Sequence, residues 1–118
     1  MMPLPCYEQA TIPQKKLQAY LLSSTHRAGK SKAAFFTAHG FQASHWSQLA
    51  EALRQHAGSH PVAKQEESPF GTRYVIEGLL DAPDGHRLSV RSIWFIDHGK
   101  DFPRFVTAYP LPQKGRRT

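Results

Sequence analysis

The sequence predicts an α+β domain in which N-terminal helices pack on a C-terminal antiparallel sheet of three to four strands. Before Pro61 the apolar residues recur at helical spacing, and beyond it they alternate with polar residues as in half-buried strands. The chain has 118 residues and 40% hydrophobic content, enough for one core. We therefore expect a single α+β domain at residues 14–112, an extended leader at 1–13 and a basic tail at 113–118.

Three helices are predicted in the first half of the chain. The first occupies residues 14–23 and the second residues 32–39, and Ser44 is placed to cap the third. The third helix has the most regular apolar stripe, formed by Trp46, Leu49, Ala50 and Leu53. We expect this stripe to pack on the sheet face that contains Val90 and Trp94.

Strand signals fill the second half. A charged edge strand is predicted at residues 62–66, followed by strands at 72–80, 87–96 and 104–109. The Asp-Gly pair at 84–85 is a strong signal for a tight turn between the second and third strands. Short turns between consecutive strands predict an antiparallel meander.

The charge balance favours polyanionic partners. Fifteen Lys and Arg against nine Asp and Glu leave a net charge of +6 and a pI near 9.8, which makes RNA the first candidate. An equally simple interpretation is surface charge without a site, since Lys114, Arg116 and Arg117 in the tail supply half of the excess.

Cysteine usage and hydropathy favour a cytoplasmic protein. Cys6 is the only cysteine, so an intrachain disulfide is excluded. The sequence has no apolar run long enough to span a bilayer and no signal-peptide pattern at its start, so we expect no membrane partner.

No cofactor or metal is expected from the motifs. The sequence lacks a Walker loop, a dinucleotide-binding glycine pattern and a serine elbow. Six of the histidines are scattered without the spacing of a zinc motif: His39, His45, His56, His60, His86 and His98.

One candidate site lies at the predicted start of the second helix. The basic residues His26, Arg27, Lys30 and Lys32 precede or enter the first turn, and Ser31 is placed to cap it. Cations at a helix start oppose its dipole, whereas an anion there would be bound by the free N–H groups and the charges together. This pattern predicts a phosphate-binding site, with a solvated basic loop as the alternative.

A second group lies on the predicted strands. Arg91 shares a face with apolar neighbours, and Thr107 and Tyr109 share a face of the last strand. A buried Arg is costly unless it is paired or lines a cleft. The alternatives are therefore a functional cleft, or a salt bridge from Arg91 to Glu77 with Tyr109 as a core ring.

Three segments carry a resemblance to a known family. They read KLQAYLL at 16–22, HRAGKSKAAFF at 26–36 followed by Gly40-Phe41, and PRFVTAYP at 103–110. The chain resembles an uncharacterised family of small bacterial toxin-like domains over residues 16–110. The order of helices and sheet in that family is similar to the barnase, EndoU, colicin D and RelE group of ribonucleases.

This resemblance implies a ribonuclease site in a toxin of a toxin–antitoxin or polymorphic toxin system. It would place five catalytic residues around the scissile phosphate: His26, Lys32, Arg91, Thr107 and Tyr109. Phosphate-binding roles would fall to Arg27, Lys30 and Ser31. The implied chemistry is metal-independent attack of the RNA 2′-hydroxyl on phosphorus, and the implied partners are RNA and a small cognate antitoxin or immunity protein. The competing hypothesis is a non-catalytic module that binds RNA or protein through a basic cleft.

Overall fold

Helices precede a continuous antiparallel sheet in the computed structural model, which describes residues 2–18 and 30–111. The helices are α1 (Gln14–Lys16), α2 (Lys30–Thr37) and α3 (Trp46–Ser59). The strands are β1 (Val62–Ser68), β2 (Gly71–Asp81), β3 (Arg87–Asp97) and β4 (Arg104–Pro110). The α+β class is therefore confirmed, with four strands in the sheet.

The sheet is a meander in the order β1-β2-β3-β4, with every neighbouring pair antiparallel. Strands β2 and β3 pair without interruption from Gly71 opposite Asp97 to Asp81 opposite Arg87. The turn between them contains Gly85 at φ +91°, a left-handed conformation that glycine adopts without strain. The predicted Asp-Gly hairpin is thus confirmed.

The two longer helices lie in the middle of the chain rather than clearly at its N-terminus. Only α1 represents the first predicted helix within the described part, because residues 19–29 lie outside it. The predicted cap was wrong: Ser44 lies inside a 3-10 turn, Ala43–His45, and His45 is the N-cap of α3. The Ser44 hydroxyl instead donates to Gln42 Oε1 at 3.4 Å and lies 3.1 Å from His45 Nδ1.

The core lies between α3 and the sheet. Leu49 and Leu53, four residues apart on α3, are fully buried, as are Val90 and Trp94 on β3. These four residues belong to one hydrophobic cluster, with Trp46 partly buried against it. Strands β2 and β3 both contact α3, so the predicted packing of this stripe on the sheet is confirmed.

The segment predicted as a leader contributes to the same core. Leu4, Ala10 and Ile12 are buried within it. Thr11 bridges to Arg104 of β4 in parallel, donating to the Pro103 carbonyl and accepting from the Phe105 N–H. None of the helices in residues 2–18 and 30–111 combines the length and apolar character needed to cross a membrane.

Candidate functional site

A row of polar side chains crosses the sheet face opposite α3. Arg91 on β3 lies opposite Glu77 on β2 and opposite Tyr109 on β4. The core-facing neighbours of Arg91 are Val90 and Ser92, both fully buried, so the alternation of the strand turns Arg91 to the other face. Cross-strand register alone brings the three side chains together.

The Arg91 guanidinium makes three short contacts in this row. Its Nε donates to Glu77 Oε2 at 2.7 Å, and Nη2 lies 2.6 Å from the same oxygen. Its Nη1 donates to the Tyr109 hydroxyl at 3.2 Å. Salt-bridge pairing of Arg91 with Glu77 is therefore confirmed, and Tyr109 joins the pair with its ring 5.6 Å from the guanidinium carbon.

These contacts hold the positive charge in place. The hydrogen bond to Tyr109, and to a smaller extent the one to Glu77, raises the pKa of Arg91 above its ordinary value. About one third of each ion-pair side chain is exposed, so the group remains reachable from solvent. The guanidinium Nε and Nη2 lie against Glu77, and Nη1 donates to Tyr109, so both partners fix the plane of the group.

Thr107 extends the same face. It lies opposite Ile93, two residues from Tyr109 along β4, and the register of β4 shifts between Ile93 and Trp94. Arg91, Thr107 and Tyr109 therefore share one surface; the alternation predicted the common face of Thr107 and Tyr109, and the register added Arg91 to it.

The side chains of the predicted site residues in the helical segment lie outside the part of the chain that the structure describes. His26 and Arg27 lie outside the described residues, as do the side chains of Lys30, Ser31 and Lys32. The backbone of α2 spans Lys30–Thr37 and contacts β4, so Ser31 lies within the helix and its predicted role as the cap was wrong. Convergence of the basic segment with Arg91 and Thr107 stays a prediction.

Glu77 is the residue at this site to which sequence reasoning assigned no functional role. The sequence predicted Glu77 only as a structural partner of Arg91, and its carboxylate contacts two nitrogens of the guanidinium. The sequence signal for the contact between Glu77 and Arg91 was the hairpin turn at Asp84-Gly85, because its register places these two residues opposite one another.

A second polar cluster lies where the β2–β3 turn meets the end of α2. Asp84 Oδ2 lies 3.0 Å from His39 Nδ1 and 2.9 Å from His86 Nδ1. A hydrogen bond from the His86 backbone N–H, with smaller effects from the hydrogen bonds of the two imidazoles, lowers the pKa of Asp84 to about 2. These three side chains could hold a metal ion, because their ligand atoms all lie within 4.8 Å of one another.

A third group is buried under α3. His56 Nε2 lies 3.1 Å from the carbonyls of Gly78 and Val90, and Nδ1 lies 3.0 Å from Ser92 Oγ. Ser92 Oγ in turn accepts from Trp94 Nε1 at 2.9 Å. Burial lowers the pKa of His56 to about 4, so the ring is neutral near pH 7 and joins α3 to the sheet.

Comparisons with known proteins identify the family of this chain and a solved structure with a similar fold. A family model described as "Domain of unknown function (DUF6883)" matches residues 3–112. Among solved structures, the chain is similar to one chain of a contact-dependent growth inhibition toxin–immunity protein complex from Klebsiella pneumoniae 342. The TM-score is 0.68 at 18% identity, and the match covers 86% of this chain and 99% of that one. At this identity the match shows a shared fold. Comparison with curated proteins finds no match.

Proposed function

We propose that this chain, a member of the DUF6883 family, is a toxin domain that cleaves RNA without a metal ion. The observation that carries the proposal is the row formed by Arg91 and Tyr109, with Thr107 beside it on the same sheet face. The fold shared with a chain of a toxin–immunity complex supports the toxin class.

The proposed reaction is an internal transesterification. A base removes the proton of the 2′-hydroxyl, whose oxygen attacks phosphorus, and the bond to the 5′-oxygen breaks as an acid protonates it. The products are a 2′,3′-cyclic phosphate and a free 5′-hydroxyl. His26 is the proposed base or acid, since imidazole exchanges protons near neutral pH.

The remaining roles follow from charge and hydrogen bonding. Arg91 and Lys32 stabilise the negative charge that grows on the phosphorane, because fixed cations there act more strongly than water. Thr107 and Tyr109 orient the phosphate, and the Tyr109 hydroxyl already contacts Arg91 at 3.2 Å. Arg27, Lys30 and Ser31 bind the flanking phosphate groups.

The distribution of charge supports an RNA substrate. Residues 19–29 and 112–118 together contain four Lys and Arg residues and no acidic one, so most of the +6 excess lies in segments outside the strands. On the outer sheet face, Arg73 is paired with Glu66, as Arg91 is with Glu77. RNA would therefore be attracted by the basic segments and positioned by the sheet.

One observation favours the second candidate, a non-catalytic binding module. Arg91 is already neutralised by Glu77, at 2.6 Å, which weakens its attraction for phosphate. A binder needs only a continuous basic surface, whereas an enzyme needs a base and an acid within reach of one phosphate.

The proposed partner is a cognate immunity protein or antitoxin, because the structurally similar chain comes from a toxin–immunity protein complex. A ribonuclease toxin acts where RNA is found, so we propose the cytoplasm as its site of action. An acidic protein encoded beside this chain is the expected inhibitor, since it would complement the basic segments.

The decisive experiment is to incubate the purified chain with total RNA in the presence of a chelator. We expect cleavage that leaves cyclic phosphate ends, and we expect Arg91→Ala, His26→Ala or Lys32→Ala to abolish it. Arg73→Ala is the matched control, because Arg73 lies on the same sheet face and pairs across strands with Glu66 at 2.8 Å. This control should cleave at the wild-type rate.

Two results would overturn the proposal. If the wild-type chain binds RNA without cutting it, the binding module is the better account. If Arg73→Ala impairs cleavage as much as Arg91→Ala does, the effect is general electrostatics and not a site at Arg91.

A further inference from the structure

We propose that His39, Asp84 and His86 form a binding site for one divalent transition-metal ion of the Zn²⁺ class. The site joins the β2–β3 turn to the end of α2, on elements different from those that carry Arg91 and Tyr109. It is independent of the proposed RNA cleavage, which uses no metal.

The ligand atoms already converge. The two imidazole nitrogens, His39 Nδ1 and His86 Nδ1, approach the same carboxylate oxygen of Asp84, at 3.0 and 2.9 Å. The ring centroids of His39 and His86 are 5.3 Å apart, with an interplanar angle of 67°. A metal needs its ligands about 2.0–2.2 Å away, so the three atoms need to separate only slightly to surround an ion.

Backbone contacts hold the residues in this arrangement. The Asp84 N–H donates to the His39 carbonyl at 3.3 Å, which ties the turn to the end of α2 across 45 residues of sequence. The His86 N–H donates to Asp84 Oδ1 at 3.0 Å, which leaves Oδ2 directed at the two rings.

Close packing limits movement between the two segments. Gly40 follows His39 at φ +100°, and a Cβ at this position would lie 3.1 Å from Pro83 Cβ. The positive φ favours glycine here, and the short distance to Pro83 shows that the end of α2 and the turn approach closely. Because the two segments are already held together, metal binding costs little conformational entropy, and this favours a high affinity for the ion.

The donor set selects the class of ion. Two imidazoles and one carboxylate suit Zn²⁺ and its neighbours, whereas Mg²⁺ and Ca²⁺ prefer oxygen ligands only. Three protein ligands leave a position for water. The His86 side chain is 69% exposed, so the ion can enter from solvent.

The test uses the full chain without a histidine tag, stripped of metal by a chelator and then dialysed. Addition of Zn²⁺ should raise the melting temperature and give one site per chain by calorimetry. In NMR spectra the ring signals of His39 and His86 should shift on Zn²⁺ addition. His86→Ala, at an exposed position, should lower the affinity at least about tenfold.

Two further variants complete the design. Asp84→Asn keeps an acceptor for the His86 N–H but removes the anionic ligand, and it should also lower the affinity. His98→Ala removes a histidine from the β3–β4 turn and should bind Zn²⁺ as the wild type does. If Zn²⁺ does not bind the wild type, or if His86→Ala binds it equally well, the cluster is only a hydrogen-bonded contact and the proposal is wrong.

Discussion

Acidification from pH 7.5 to pH 5 should destabilise this protein through His56. The ring is 2% exposed, and its pKa is lowered from 6.5 to about 4. Desolvation is the largest cause, and the nearby His60 adds to it, while the carbonyls of Gly78 and Val90 act in the opposite direction. Between these two pKa values the unfolded chain binds a proton that the folded chain excludes, so stability falls as pH falls.

The magnitude follows from the two pKa values. A depression of this size corresponds to about 3 kcal/mol once the pH is well below the folded value. At pH 5 the loss is about 2 kcal/mol, because the unfolded histidine is then almost fully protonated and the folded one is not. The contribution is fully present above pH 6.5 and is lost between pH 6.5 and 4.

Urea unfolding followed by tryptophan fluorescence measures this loss. The indole of Trp94 is buried and bonded to Ser92, so its emission reports directly on the region around His56. The control is His56→Gln, which lacks the titrating ring; it should be less stable at pH 7.5 but should lose much less stability on acidification. If both proteins lose stability equally between pH 7.5 and 5, other groups cause the effect and our reasoning about His56 is refuted.

Three further outcomes are expected. Leu53→Ala should cost about 2–5 kcal/mol in urea unfolding, because Leu53 is fully buried between α3 and the sheet. Gly58→Ala should destabilise α3, because the new Cβ would overlap the Tyr7 ring; in a Tyr7→Ala background the same change should stabilise by up to about 1 kcal/mol. Glu77→Ala should change the free energy of unfolding by less than about 1 kcal/mol, since its ion pair with Arg91 is one-third exposed. It should nevertheless slow RNA cleavage about tenfold or more by releasing the Arg91 guanidinium, and an unchanged rate would show that Glu77 has no positioning role.

Local pattern alone predicted most of the sheet and the third helix. The alternation of polar and apolar residues and the Asp-Gly turn sufficed to predict the β2–β3 hairpin, because an antiparallel register is symmetric about its turn. The same symmetry placed Arg91 within reach of Glu77. The stripe containing Leu49 and Leu53 predicted the buried face of α3, because one helical turn brings these residues together.

Local pattern failed for the start of α3 and for the role of His56. Ser44 is a good capping residue by type, but a 3-10 turn over Ala43–His45 occupies the position before α3. The buried role of His56 was also missed, because a histidine on an apolar helical face looks the same in sequence whether or not its ring has partners. Only the sheet supplies them, through Gly78, Val90 and Ser92.

The sequence by itself therefore determined the α+β class, the strand order and the shared face of Thr107 and Tyr109. Each depends on residues near one another in sequence or related by one short turn. Tertiary structure decided the cluster of His39, Asp84 and His86, because its members come from a helix end and a turn 45 residues away. Such contacts depend on how whole elements pack, and no periodicity within either element encodes them.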